Sequence, residues 1–153
     1  MMSRKRPVRA LGVLGAGIMA VAITSSVVAA PTSTSASAAL SDTGTLKNFA
    51  TGSCLDSNSS GSVSTTGCNG GSSQRWQGSS GTLRNVASGS CLDSNSSGSV
   101  YTTGCNGGSS QQWQAGSGTT TLRHVASGSC LDSNSSGSVY TTGCNGGSSQ
   151  QWQ

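Results

Sequence analysis

From about residue 45 onward the chain is written in short apolar and polar runs of three to five residues, separated by clusters of Gly, Ser and Asn. The recurring runs are Thr-Leu-x-x-Val, Cys-Leu-Asp, Val-Tyr-Thr-Thr and Gln-Gln-Trp-Gln. All are β-branched or alternating, the two-residue period of a half-buried strand. No window of eleven residues carries a helical stripe, and the intervening clusters are turn chemistry. The pattern predicts an all-β fold built from short strands.

The pattern also repeats. Residues 88–114 and 127–153 are the same 27 letters, SGSCLDSNSSGSVYTTGCNGGSSQQWQ, and residues 51–77 differ from them only at Thr51, Ser64 and Arg75. Each copy opens on a strand-like piece (45–49, 82–86, 121–125) and closes on a Trp, giving repeats at about 45–77, 82–114 and 121–153. With about four strands per copy, Leu46, Leu55, Val63, Trp76 and their counterparts can bury one another across three lobes, which no lobe could do alone. Three copies of one unit imply pseudo-threefold symmetry or a short stack.

Composition complicates this picture before supporting it. Of the 115 residues from 39 to 153, 20 are Gly and 28 are Ser, while Leu, Val, Ile and Phe together number 13. That is the composition of a disordered linker, and only the repeat, the six Cys and the three Trp speak for a fold. So thin a core needs a second source of stability. Cys54 and Cys68, Cys91 and Cys105, and Cys130 and Cys144 each lie fourteen apart within one copy. Six Cys allow fifteen pairings and sequence proves none of them; repeat symmetry favours the three local ones, each worth about 3 kcal/mol in the chain-entropy model. A metal is the rival reading, but C-x13-C without flanking His does not make a tetrahedral zinc site. Asp56-x-Asn58-x-Ser60 opens like a calcium loop, yet Gly67 stands where the bidentate Glu is needed. No metal and no cofactor are expected.

Residues 1–38 read as a secretion signal: Arg4, Lys5, Arg6 and Arg9 precede the apolar run Ala10 to Ala30, and Ala36-Ser37-Ala38 fits an A-x-A cleavage site. A membrane anchor is the competing reading, but the stretch from Leu11 to Val28 is barely long enough and is diluted by Gly and Ser. The expectation is a secreted domain of residues 39–153, monomeric and off the membrane after cleavage, in a compartment where disulfides persist. Past the leader, Lys47, Arg75, Arg84 and Arg123 balance Asp42, Asp56, Asp93 and Asp132, so no basic patch exists for nucleic acid. There is no Glu and one His, and single Asp residues on separate lobes lie too far apart to flank one bond, so no enzyme activity is expected. His124 stands where the other copies have Asn48 and Asn85; unmatched by symmetry, it is expected at the surface.

Three units in series, Cys54-Leu55-Asp56 to Gln74-Arg75-Trp76, Cys91-Leu92-Asp93 to Gln111-Gln112-Trp113, and Cys130-Leu131-Asp132 to Gln150-Gln151-Trp152, carry a resemblance. The chain resembles the ricin B-type β-trefoil lectins with their Q-x-W repeats, a family that includes many actinobacterial carbohydrate-binding modules. The resemblance implies a β-trefoil and non-catalytic binding of carbohydrate: a polysaccharide such as xylan or galactan, or a galactose-type glycan, at up to three equivalent shallow sites. It assigns Asp56, Asp93 and Asp132 to sugar hydroxyls, and Gln74, Gln111 and Gln150 to holding the sugar or the Asp. A carboxylate accepts two adjacent hydroxyls, whereas Gln both donates and accepts. The plainer reading of each Asp is a cap on its own turn. The Trp residues belong to the core. The chain departs from the family pattern in carrying Thr66, Thr103 and Thr142 where many members have a stacking aromatic, and Ser73, Ser110 and Ser149 where many have Asn. Tyr101 and Tyr140, two residues earlier on the same strand face, can supply the ring instead. Copy one has Ser64 there and is expected to be the weakest site. The alternative is a disulfide-braced structural trefoil that has lost sugar binding.

Overall fold

The computed structural model describes residues 42–116 and 120–153; the leader read at residues 1–38 lies outside the described residues. Among the described residues eleven strands follow one another: β1 (Thr43–Gly44), β2 (Cys54–Ser57), β3 (Val63–Thr66), β4 (Trp76–Ser79), β5 (Thr82–Asn85), β6 (Cys91–Ser94), β7 (Val100–Thr103), β8 (Trp113–Ala115), β9 (Leu122–His124), β10 (Cys130–Ser133) and β11 (Val139–Thr142). One 3-10 turn precedes each Q-x-W Trp, at Ser72–Gln74, Ser109–Gln111 and Ser148–Gln150. The strands form sheets in the orders β1-β4-β5-β6-β7, β11-β10-β9-β8 and β2-β3, and every pair is antiparallel.

The expected opening strand of copy one, at 45–49, is only a pair of bridges, Lys47 to Cys54 and Asn48 to Trp152. These stand in register with Arg84 to Cys91 and Trp76 to Asn85 one copy on. Copy three therefore pairs back onto copy one, and reciprocal bonds between Lys47 and Gln153, at 2.7 and 3.0 Å, seal the ring.

Inside the ring, each copy contributes the same residues. Leu46, Leu83 and Leu122, Leu55, Leu92 and Leu131, and Trp76, Trp113 and Trp152 are all essentially fully buried, with Val63, Val100 and Val139 packed beside them. Each indole N–H donates to a Leu carbonyl oxygen at 3.0 to 3.1 Å, Trp76 to Leu55, Trp113 to Leu92 and Trp152 to Leu131. The Trp are core, as expected, and their one polar atom is satisfied there.

Polar links pass from copy to copy around the axis. Hydroxyl pairs join Ser57 to Thr102 (2.8 Å), Ser94 to Thr141 (2.9 Å) and Ser133 to Thr65 (2.8 Å). Alongside them the amides of Thr102, Thr141 and Thr65 donate to the carbonyls of Gly61, Gly98 and Gly137. The backbones come so close that a Cβ on Gly98 would lie 2.6 Å from the Thr141 carbonyl oxygen, and its φ is +86°; only glycine meets both conditions.

A second set of links corrects the expectation for His124, which is 1% exposed rather than on the surface. Asn48 and Asn85 are fully buried at the equivalent positions and donate from Nδ2 to the carbonyls of Ser149 and Ser73, both at 2.7 Å. His124 makes the same link with Nε2 to the Ser110 carbonyl (2.9 Å), sets Nδ1 against the Ser127 hydroxyl (2.8 Å), and tilts against the Trp113 ring at 5.0 Å. Departure from the repeat letter does not mean freedom from the repeat's constraint. An imidazole instead replaces a carboxamide as a buried group with two polar atoms.

The three disulfides are the local ones, Cys54–Cys68, Cys91–Cys105 and Cys130–Cys144. Three copies, four strand positions each, closed into a ring with hairpins β2-β3, β6-β7 and β10-β11 meeting at the axis, make the fold a β-trefoil.

Candidate functional site

Strand alternation decides what each lobe shows the solvent. In the β6-β7 hairpin, Leu92 pairs with Thr102 and Ser94 with Val100, facing the core and the axis, while Cys91 pairs with Thr103 and Asp93 with Tyr101. Cys91, Asp93, Tyr101 and Thr103 therefore share the outer face. The β10-β11 hairpin repeats the arrangement with Cys130, Asp132, Tyr140 and Thr142, and β2-β3 repeats it with Cys54, Asp56, Ser64 and Thr66.

The turn between the hairpin strands is held by Asn, not by Asp. Asn58 Oδ1 accepts from the amides of Ser60 and Ser62 at 3.0 and 2.9 Å and from the Ser60 hydroxyl at 2.7 Å. Asn95 and Asn134 do the same in the other copies. Turn-capping is thus assigned to another residue, and the carboxylates need a different account.

They are gripped by the Q-x-W Gln. Gln111, fully buried, donates from Nε2 to Asp93 Oδ2 (3.1 Å) and to the Gly104 carbonyl (3.0 Å), and its Oε1 accepts from the Asn106 amide (2.9 Å). Gln150 binds Asp132, Gly143 and Asn145 in the same way. With both N–H groups used, this Gln has no donor left for a ligand. It fixes the Asp and ties the segment after the disulfide to the hairpin.

Asp93 and Asp132 are each 4% exposed, and the Oδ1 of each is buried without a hydrogen-bond partner among the described residues. Burial of the Tyr101 phenol raises its pKa above the usual value, and the negative charge of Asp93 opposite raises it further. Copy one differs. With Ser64 in place of Tyr, Asp56 is only half-buried, and its Oδ2 is shared by Gln74 Nε2 and the Thr66 hydroxyl, each at 3.0 Å. In copy two the second donor is Ser110 Oγ at 3.3 Å. The structure thus brings together Asp93, Gln111 and Tyr101, and Asp132, Gln150 and Tyr140, and leaves Asp56 with Gln74 and no ring. The sequence marks Ser110 only as a departure from the family's Asn; its hydroxyl as a second donor to Asp93 is visible in the structure alone.

A family model described as the ricin-type beta-trefoil lectin domain matches residues 42–152. Among solved structures, ThreeFoil, a designed threefold-symmetric protein, is 28% identical, with a TM-score of 0.63 over 72% of this chain and 96% of that one. The hemolytic lectin CEL-III is 28% identical, with a TM-score of 0.65 over 73% of this chain, but the match spans only 29% of CEL-III. GalNAc-T7, solved with UDP, GalNAc and Mn2+, is 27% identical, with a TM-score of 0.62 over 73% of this chain and 22% of its own length. No curated protein sequence matches the chain.

Proposed function

The chain belongs to the ricin-type β-trefoil lectin family, and from that premise we propose that it is a secreted, non-catalytic lectin that binds polysaccharide through the outer faces of its lobes. Cleavage after the leader leaves residues 39–153 as a monomer. In this reading Asp93 and Asp132 accept sugar hydroxyls, Gln111 and Gln150 position those carboxylates, and Tyr101 and Tyr140 offer an apolar face to a pyranose. Asp56 with Gln74 makes a third, poorer site without a ring.

The observation that carries the reading is the pair of unpartnered oxygens, Asp93 Oδ1 and Asp132 Oδ1. Leaving a buried acceptor unmade costs on the order of 1 to 3 kcal/mol. A sugar hydroxyl supplies the missing donor once the half-exposed Tyr opposite moves aside. The same burial favours a second reading, a scaffold whose Tyr residues have closed the pockets for good. Pull-down on insoluble xylan, galactan, chitin and cellulose separates the two. The lectin reading expects retention on at least one of them that Asp93→Asn with Asp132→Asn abolishes; absence of retention on all of them upholds the scaffold.

A further inference from the structure

A cavity of about 720 Å3 lies on the outer face of β4, β5 and β6, and neither Asp93 nor Tyr101 lines it. Gln77 pairs with Arg84 and Ser79 with Thr82 across β4 and β5, and Arg84 pairs with Cys91 on β6, so these side chains share one face by register. The Cys91–Cys105 disulfide, Gly89 and Gly107 complete the lining. Its size falls within the range of small-ligand pockets, roughly 300 to 1,000 Å3.

The cavity carries one charge, and that charge is held in place. Arg84 Nε donates to the Gly89 carbonyl at 2.7 Å, which pins the guanidinium while neither Nη group has a partner among the described residues. A Cβ on Gly89 would come within 3.0 Å of Arg84 Nη2, and the φ there is +72°, so glycine is what lets the guanidinium lie flat against this loop. Arg123 repeats the arrangement in copy three, with Nε on the Gly128 carbonyl at 3.0 Å and a virtual Gly128 Cβ 2.9 Å from its Nη2. Lys47 holds the corresponding register position, opposite Cys54, in copy one. Three of the four cations among the described residues thus occupy one symmetric position. Asp42 accepts from the Gly78 amide of β4 through its backbone carbonyl, and its Oδ1 accepts from the Thr43 amide at 2.7 Å.

We propose that the Arg84 cavity binds the carboxylate of a uronic acid unit, with the guanidinium of Arg123 placed alike in copy three, so that the glycan recognised by this lectin is an acidic polysaccharide. A pinned guanidinium with its two Nη groups free is a planar fork that fits a carboxylate. Ser79, Thr82 and Gln77 offer hydroxyl and amide partners to the rest of the sugar, and the disulfide and glycines give it an apolar floor. Cys91 and Asp93 are two residues apart on one strand face, about 7 Å, so neighbouring units of one chain can engage both places. The proposal rests on the lectin reading for that second contact, not for the first.

Affinity electrophoresis of the intact disulfide-bonded protein in gels holding polygalacturonate or neutral galactan tests it. At low salt the wild type should be retarded three- to tenfold more strongly by polygalacturonate, the effect expected for an exposed but pre-placed charge. Salt of about 0.3 M should close the gap by screening. Arg84→Gln with Arg123→Gln should remove the preference and leave binding to galactan and the melting temperature unchanged, whereas Arg84→Lys should keep part of it. A preference that persists in the double Gln variant, or that is absent in the wild type, overturns the proposal. Loss of galactan binding on Asp93→Asn with the polygalacturonate preference intact separates the two sites. Retardation by polygalacturonate alone, dependent on Arg84 and unchanged by Asp93→Asn, would refute sugar binding at the Asp and Tyr face while upholding the acid site.

Discussion

Replacement of Gln111 by Leu should be among the most damaging single changes on the surface half of a lobe, and the structure sets its size. Gln111 makes three bonds from a fully buried position, to Asp93 Oδ2, the Gly104 carbonyl and the Asn106 amide. Two neutral partners stranded cost about 1 kcal/mol each, and a buried carboxylate that loses its main donor costs about 2 more. The loss is about 4 kcal/mol. Gln74→Leu strands the equivalent groups in copy one, but Asp56 is half-buried and keeps the Thr66 hydroxyl at 3.0 Å. Its loss should be about 2.5 kcal/mol. Thermal unfolding of the oxidised protein should therefore show Gln111→Leu melting about 6 °C below Gln74→Leu, at about 4 °C per kcal/mol for a domain of this size. Adding Asp93→Leu to Gln111→Leu should recover at least 1 kcal/mol, because the uncompensated charge goes with its partner. Equal melting temperatures for the two Gln variants, or a double variant less stable than Gln111→Leu, would refute the reasoning that the Gln exists to hold a buried carboxylate.

Three further outcomes follow from the fold. Reduction of the three disulfides should lower the denaturation midpoint sharply, since each closes a loop of fourteen residues worth about 3 kcal/mol, and peptide mapping should find Cys54 joined to Cys68, not to Cys91. His124→Asn restores the residue of the other copies at that link and should stay within about 1 kcal/mol of the parent in urea denaturation, whereas His124→Ala, which strands the Ser110 carbonyl, should cost about 2. The Tyr101 phenol has a raised pKa in the folded state, so its contribution is complete below the unfolded value near 10 and is lost as pH rises through the folded one; ultraviolet titration should show a late-ionising tyrosine that Asp93→Asn brings earlier.

The fold was legible because the repeat letters and the core letters coincide. Leu55, Trp76 and their copies are both the invariant positions of the unit and the buried ones. Periodicity likewise placed Tyr101 on the strand face of Thr103, and symmetry favoured the local pairing of the cysteines; that Asp93 lies opposite Tyr101 came only with the strand register. The rest escaped for two physical reasons. In so Ser-rich a chain a hydroxyl that closes the ring, such as Ser94 against Thr141, is spelled like any exposed Ser, because only register with another copy buries it. Asn95 and Asp93 are both turn-formers two residues apart, and sequence does not say which caps the turn and which is left with a buried oxygen lacking a partner. His124 departs from its surface expectation because a change of residue type in one copy leaves the environment of that position unchanged.

The central claim is that Asp93 and Asp132, held by their Gln and flanked by Tyr, take up sugar. Calorimetric titration of wild type, Asp56→Ala, Asp93→Ala and Asp132→Ala with a long polysaccharide fragment and with a short saccharide tests it most directly. The account predicts two dominant equivalent sites on the short ligand, one lost with each of Asp93→Ala and Asp132→Ala. On the long ligand each of these changes should lower the apparent affinity more than tenfold, because two weak sites then no longer act together. Asp56→Ala should change either titration least. Equal losses for all three variants on the long ligand would take Tyr101 and Tyr140 out of the site, and undiminished binding in all three would contradict the claim itself.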